Sequence, residues 1–565
     1  MGRTRSAVRL SLRVQITCIL LTTLSGSLAL TACQHATPTP LSVARTLTHI
    51  VAALTPTSMA NAALSPASTN APPTPTPTTT ATATPTPRPT ATHTTTPTPT
   101  PTATHTATST PTPTATPTRT PTPTSLPAGI YRPTQASYHI EVDLDYWGHA
   151  LQAQERLIFT NTLGLALSDL LLNVPPNGSN AAFDLSSLRV NGEKAIHTLE
   201  GTSLQVKLPQ ALPAGESVTL EVSFALTAAY MRVDSIFGGG VVGYSENAFN
   251  AGHWYPVLAP YRADEGWLAT PWHPVGDPYV TDVAAYAVIV RTSPDVTVVG
   301  PGTMESWPDE GRWRFTVPAA RTFAFAASHR YESVAETAHG VTIASYYYPE
   351  HQVTGQLILA NAAASIQLFS DLYGPYPYSD LRIAEADFSG GQEFSGFMLF
   401  GSGMHRDYLD AGGGPRTILF SLIAHETAHQ WWYGVVGNNQ LEEPWLDEAL
   451  AQYSELLFYE RLYPEHTDWR WAWMGMADRQ PAPIDVSIFD YTSERAYRNR
   501  VYLTGVLFWA QLRQALGDDA FFDLIQTHYR QGANQIVTTA ELLALLPQYG
   551  DPAITQPIVD AYFGP

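Results

Sequence analysis

From about Pro38 to Pro127 the chain is dominated by Thr, Pro, Ala and Ser, apart from "VARTLTHIVAAL" (43–54), which could form a short helix; the densest part is "PPTPTPTTTATATPTPRPTATHTTTPTPTPTATHTATSTPTPTATPTRTPTPTSLP". Large apolar residues are nearly absent there. Such a stretch has nothing to bury and cannot offset the entropy of ordering its backbone. Alternating proline favours extended polyproline II, at ~3.1 Å per residue, so the run predicts a semi-rigid spacer well over ~100 Å long. Whatever folds must come from the residues on either side of it.

The side before it is short. Arg3, Arg5, Arg9 and Arg13 precede an apolar run from Val14 to about Leu30, which ends in Leu30-Thr31-Ala32-Cys33. A positive start, an apolar middle and a small-residue end read as a secretory leader. The ending resembles the bacterial lipobox, which implies that Cys33 becomes a lipidated first residue. The competing reading is an uncleaved anchor, but the run is short and polar for a bilayer of ~30 Å. Either way the expected place is extracytoplasmic, tethered to a membrane by the N-terminus. The expected division is 1–33 leader, 34–130 spacer, 131–340 a β-rich unit and 341–565 a second folded unit.

Both cysteines, Cys18 and Cys33, lie in this leader. The folded body therefore has no internal disulfide, and any metal it holds must be held by His, Asp or Glu. With 49 acidic against 30 basic residues the formal charge is −19. That excludes the basic footprint of a nucleic-acid binder.

From Tyr131 the pattern is strand-like. "YHIEVDLDYW" (138–147) alternates apolar and polar, and "LQVKL", "VTLEVSFAL", "AAYAVIVRT", "WRFTV" and "FAFAAS" follow between Gly, Pro, Asn and Asp clusters. Many short strands predict an antiparallel sandwich or saddle. His253, in "NAGHWYPVLAPY", has no partner at ligand spacing and reads as an ordinary polar residue. After about Val341 the period becomes helical, with helices expected at 354–374, 415–434, 442–464, 500–516 and 518–530. Pro415 suits the first turn of the second of these and Gly434 its stop.

That helix carries "LIAHETAHQWWYG" (422–434). Residues i and i+4 share a helix face ~5–6 Å apart, so His425 and His429 can point at one ion. Zinc accepts imidazole nitrogen at ~2.0–2.1 Å. Glu426 is offset round the helix and can take a proton from a water on the metal, whose pKa falls from 15.7 to about 7. A catalytic zinc site needs a third ligand. Glu448, in "WLDEALAQYSELL", follows His429 by 19 positions, room for a turn and an antiparallel helix, and can supply it. Glu455 lies seven positions after Glu448, on the same face. It reads either as the acceptor for a ligand histidine N–H or as a surface salt-bridge residue.

HETAH, eighteen residues, then Glu448 within "WLDEALAQY" resembles the gluzincin metallopeptidases of the aminopeptidase N family. "HWYPVLAPY", "GDPYVTDVAAYAVIV" and "SDLYGPYPYSDLRIAEA" are similar to further phrases of that family, and the resemblance spans about 131–565. It implies a thermolysin-like, mainly helical α+β catalytic domain behind the β unit, one Zn2+ per chain, and peptide or protein substrates, with aminopeptidase action favoured. "GGQEFSGFMLF" (390–400) is similar to the family's Gly-x-Met-Glu-Asn motif. Glu393 then falls on the glutamate that holds a substrate's free amine, with Gln392 and Phe394 in place of Met and Asn. "VYLTGVLFWAQLRQALG" (501–517) resembles the Tyr-x-Lys-Gly helix. Tyr502 then falls on the tyrosine that stabilises the oxyanion, with Thr504 in place of Lys and Tyr497 as the rival. Asp447 stands where the family has Asn and receives no role. Trp431, Trp432 and Tyr433 read as core or pocket wall. Two alternatives stand beside the aminopeptidase: an endopeptidase with an open cleft, and an inactive surface scaffold that keeps the fold.

Overall fold

The computed structural model describes residues 130–232 and 242–564. The leader and the Thr/Pro spacer lie outside the described residues. No helix among the described residues is long and apolar enough to cross a membrane.

The N-terminal part is sheet. Its main strands are β1 (Gln135–Asp145), β2 (Ala150–Thr160), β3 (Leu167–Asn173), β4 (Ala182–Val190), β5 (Ser203–Leu212), β6 (Ser217–Thr227), β7 (Ala284–Arg291) and β8 (Arg312–Ala320). In β1 Tyr138, Ile140, Val142 and Leu144 are buried while the residues between them are exposed, the period-two pattern of a half-buried strand. The eight-stranded sheet runs Thr303–Trp307, β8, β7, β1, β2, β6, β4, Glu193–Lys194. It is antiparallel except where β7 lies parallel to β1. The expectation of an antiparallel β unit is corrected at this pair, whose long connection leaves no local signal, and at the short parallel pair Ala229–Tyr230 with Val242–Tyr244. A four-stranded sheet contains β3 and β5. Leu170, Leu172, Leu204 and Val206 from it share one core with Val142, Leu157, Leu220 and Val288. Each such side chain contributes ~1.5–3 kcal/mol on burial.

The second sheet contains β9 (Glu332–Ala338), β10 (Val341–Tyr347), β11 (Asp380–Ala386), β12 (Gly391–Phe394) and β13 (Phe397–Gly401), in the order β9-β10-β11-β13-β12. β9 already belongs to it, so the boundary expected at 340/341 falls inside the β9–β10 hairpin. β10, β11 and β13 are parallel, and β12 pairs antiparallel at the end of the sheet. Helices follow: α1 (Gln352–Leu372), α2 (Ser402–Asp410), α3 (Ile418–Ala428), α4 (Trp445–Leu462), α5 (Thr467–Trp473), α6 (Gly505–Leu516) and α7 (Asp518–Gly532). Ile358 and Ile366 of α1 and Leu419 and Ile423 of α3 pack with Ile383 and Phe400 of the sheet.

α3 stops well short of Gly434. The chain turns after His429, and Tyr433 takes a positive φ of 105°, which a non-glycine residue adopts only under constraint. Gly434 N donates to His429 O, Tyr433 N to Val436 O and Val436 N to Trp431 O. The glycine is thus not the residue that ends the helix. Tertiary contacts hold a tyrosine there instead.

Candidate metal centre and active site

α3 brings His425 and His429 to one face, and the first turn of α4 brings Glu448 opposite them. The two Nε2 atoms are 3.2 Å apart, and each is 3.4 Å from Glu448 Oε2. Bonds of ~2.0–2.2 Å at tetrahedral angles would set zinc's donor atoms about 3.3–3.6 Å apart. His429 Nδ1 lies 3.0 Å from the Trp432 carbonyl. A carbonyl only accepts, so Nδ1 carries the hydrogen and Nε2 turns a lone pair inward. Glu448 Oε2 is buried and has no hydrogen-bond partner among the described residues. These donor atoms converge on one buried point where the carboxylates favour positive charge, and the set fits Zn2+.

Charge tells the same story. Burial opposes an ionised Glu448, but the two histidines outweigh it and hold the carboxylate far below its usual range. Burial would lower His429 too, yet Glu393, Glu448 and Glu426 push it well above the usual imidazole value.

A second group, His351, Glu385 and His405, is also buried. It differs in one decisive respect. His351 Nδ1 is 2.6 Å from Glu385 Oε1, the spacing of a charge-assisted hydrogen bond and too short for two donors around one ion. Tyr348 N takes the other carboxylate oxygen, and Thr354 Oγ1 meets His405 Nδ1. This group is a hydrogen-bonded strut between β11, α1 and α2.

Glu426 stands beside the metal position, and its Oε2 has no partner among the described residues. Burial and then Glu393 raise its pKa well above the usual carboxyl value. It reaches in next to β12 because residue 391 is glycine: a Cβ there would lie 2.3 Å from Glu426 Oε1. Glu393, on the same edge strand, comes together with Glu426 and His429. Tyr502 sits in a π-helical turn, Asn499–Thr504, just before α6. Its hydroxyl donates to Glu448 Oε1 at 2.5 Å, and its ring lies parallel to that of His425. Gly505 lets α6 approach α4, since a Cβ there would be 2.2 Å from that of Ala449. Tyr497 packs edge-on behind Tyr502 and does not line the cleft.

Glu455 follows neither of its two readings in full: it makes an ion pair, but a buried one. Its carboxylate takes Gln452 Nε2 at 2.5 Å and pairs with the buried Arg470, not with a ligand histidine. His425 Nδ1 has no partner among the described residues. The cation was not visible from the α4 spacing because it comes from α5. Asp447 accepts from Asn438, Gln440 and the Glu448 N–H, so it fixes the start of α4. Burial and Glu448 raise its pKa to about 7. His253 is buried and stacks on Tyr279, 3.7 Å between centroids. Trp431 and Trp432 are core.

The metal position opens on a cleft of ≈ 520 Å³, lined by Glu393, Glu426, Glu448 and Tyr502 and, from the β-rich part, Trp272 and Asp277. The sequence reading missed Asp277, Trp272, Arg470 and Gln430. Gln430 holds the β12–β13 turn by accepting from Gly396 N and donating to Phe394 O.

Residues 363–562 match the family described as Peptidase family M1 domain. The chain is 25% identical over 232 residues to Aminopeptidase M1-B of Oryza sativa subsp. japonica, covering 38% of this chain and 26% of the relative. It is 28% identical over 221 residues to Aminopeptidase N of Lactobacillus helveticus, covering 35% and 25%. The chain thus spans about a quarter of the length of the curated relatives it matches. An M1 zinc metallopeptidase from Deinococcus radiodurans superposes with a TM-score of 0.59 at 18% identity, over 77% of this chain and 95% of that one. A mutant of the Deinococcus radiodurans metallopeptidase bound to a Tyr-Ser-Ala substrate superposes at 0.55 and 17% identity, over the same shares. These structures share the two-part fold.

Proposed function

We propose, on the premise that the chain belongs to peptidase family M1 through its domain over residues 363–562, that it is a zinc-dependent peptidase trimming peptides from the amino terminus. The observation that carries this is the placing of Glu393 on edge strand β12, grouped with Glu426 and His429. An extended peptide can add to that edge through main-chain hydrogen bonds, with its free amine against Glu393. The β part is then saddle-like and the catalytic part thermolysin-like, a reading supported by an edge strand lying beside the HETAH helix.

His425, His429 and Glu448 would hold the zinc. When bound, it polarises the scissile carbonyl and acidifies the attacking water. Glu426 takes a proton from that water and delivers it to the leaving amine. Tyr502, whose pKa burial pushes well above the usual phenol value, stays protonated and donates to the developing oxyanion. The walls around Trp272 and Glu393 exclude water and orient the substrate.

The test is hydrolysis of matched peptides with free and N-acetylated amino termini, with and without chelator. Free-ended peptides should be shortened one residue at a time, only without chelator. Internal cutting of acetylated peptides at equal rate would replace this reading with the open-cleft endopeptidase. Glu426→Gln should keep zinc and lose hydrolysis. A zinc-loaded protein that cleaves nothing would leave only the scaffold.

The leader and spacer add a lipid tether at Cys33 outside the cytoplasm to this proposal. Sequence pattern supports it, and Cys33→Ser should release the protein from the membrane fraction.

A further inference from the structure

The turn after His429 depends on a residue from the β-rich part. Arg321 directly follows β8 and is 1% exposed. Among the described residues its guanidinium donates only to main-chain carbonyls: Nε to Tyr433 O at 2.5 Å, Nη1 to Thr281 O at 2.8 Å, and Nη2 to Val435 O at 2.9 Å and Gln535 O at 2.6 Å. The turn wraps it closely, since a Cβ at Gly437 would lie 2.2 Å from the guanidinium carbon. Next in the chain, Thr322 Oγ1 meets the Tyr433 hydroxyl at 2.9 Å. Arg321 N also donates to Ser395 Oγ, in the turn between β12 and β13.

These contacts bear on the ligand His429. Tyr433 is the residue at φ 105°, a conformation that must be held from outside. The peptide bond preceding it carries the Trp432 carbonyl, which accepts from His429 Nδ1. If Tyr433 relaxed to an ordinary φ, that peptide would rotate and the carbonyl would leave the imidazole. His429 would lose the bond that fixes its tautomer and ring plane.

We propose that Arg321 is a positioning residue for the metal centre, acting through the Tyr433 turn and the Trp432 carbonyl on His429. This rests on the zinc reading above. The residue lies before 363–562, the span that matches the family, so the β-rich part takes part in building the site.

The experiment uses the whole protein loaded with zinc. Release of zinc into excess chelator is followed for wild type and Arg321→Lys, beside kcat, KM and the melting temperature of the metal-free forms. A single ammonium cannot span carbonyls from three segments. Arg321→Lys should release zinc about 10-fold faster or more, the scale on which partners of ligand histidines act. kcat should fall with KM nearly unchanged. Asn161→Ala is the control: it removes buried bonds to Leu165 O and Leu212 O and destabilises the β-rich part away from the turn. It should leave zinc release at the wild-type rate even where it melts lower. A folded Arg321→Lys that releases zinc at the wild-type rate overturns the proposal. If that variant does not fold, Gly437→Ala decides, since a Cβ there would lie 2.2 Å from the guanidinium carbon and displace it: faster release supports the proposal and an unchanged rate overturns it. Wild type that binds no zinc would sink the parent reading, and this one with it.

Discussion

Gly391 on the edge strand and Glu426 on the HETAH helix approach so closely that a Cβ on the glycine would lie 2.3 Å from Glu426 Oε1. The glycine carries no positive φ. It is needed for space. Gly391→Ala must therefore push either the carboxylate or the strand aside. A displacement near 1 Å at a reacting group can cost on the order of 10²-fold in rate. The expected result is loss of kcat by about that factor with zinc retained, measured by steady-state kinetics beside metal analysis. A fully active Gly391→Ala would show that Glu426 works from another position.

Tyr502 and Tyr497 divide their work by depth. The Tyr502 hydroxyl touches Glu448, while Tyr497 supports its ring from behind. Tyr502→Phe should lower kcat by about 10²–10³-fold, as for loss of one oxyanion donor, with little change in KM. Tyr497→Phe should keep kcat within a few fold. Reversed outcomes would exchange the two assignments.

Local signals were legible and distant ones were not. His425, Glu426 and His429 could be read because a helix repeats within one turn. Glu448 could be read because a turn plus one antiparallel helix sets its spacing. Glu393 needed a resemblance, since its place depends on β12 joining β13 at the end of a parallel sheet. Arg321 left no trace, because its partners are carbonyls at 281, 433, 435 and 535, and carbonyls have no sequence identity. The same blindness misplaced the end of α3. Gly434 carries the usual stop signal, but buried contacts hold Tyr433 at positive φ instead. Glu455 illustrates the converse: its face was right, and its partner Arg470 came from another helix.

In the proposed function Glu393 is the group that decides which end of a peptide is read. A charge-assisted bond to a substrate ammonium contributes ~1.5–3 kcal/mol, roughly 10- to 150-fold. Glu393→Ala should raise KM for free-ended tripeptides by a factor in that range. It should also shrink the preference for free over N-acetylated peptides toward parity. An unchanged preference would remove Glu393 from amine recognition.

Glu155 carries a cost that rises with pH. It is 2% exposed in the β-rich core, and neither carboxylate oxygen has a partner among the described residues. Burial pushes its pKa well above the ordinary carboxyl range. An unfolded glutamate ionises near ~4.3. The folded group stays protonated, so its contribution to stability is complete below that pH. It is lost as pH rises toward the folded pKa, by up to ~1.4 kcal/mol per pH unit. Glu155→Gln keeps the shape of the protonated acid and cannot ionise. Its melting temperature should match wild type near pH 4 and exceed it by a widening margin from pH 5 to pH 8. Parallel curves across that range would mean that Glu155 finds a charge partner or water in solution.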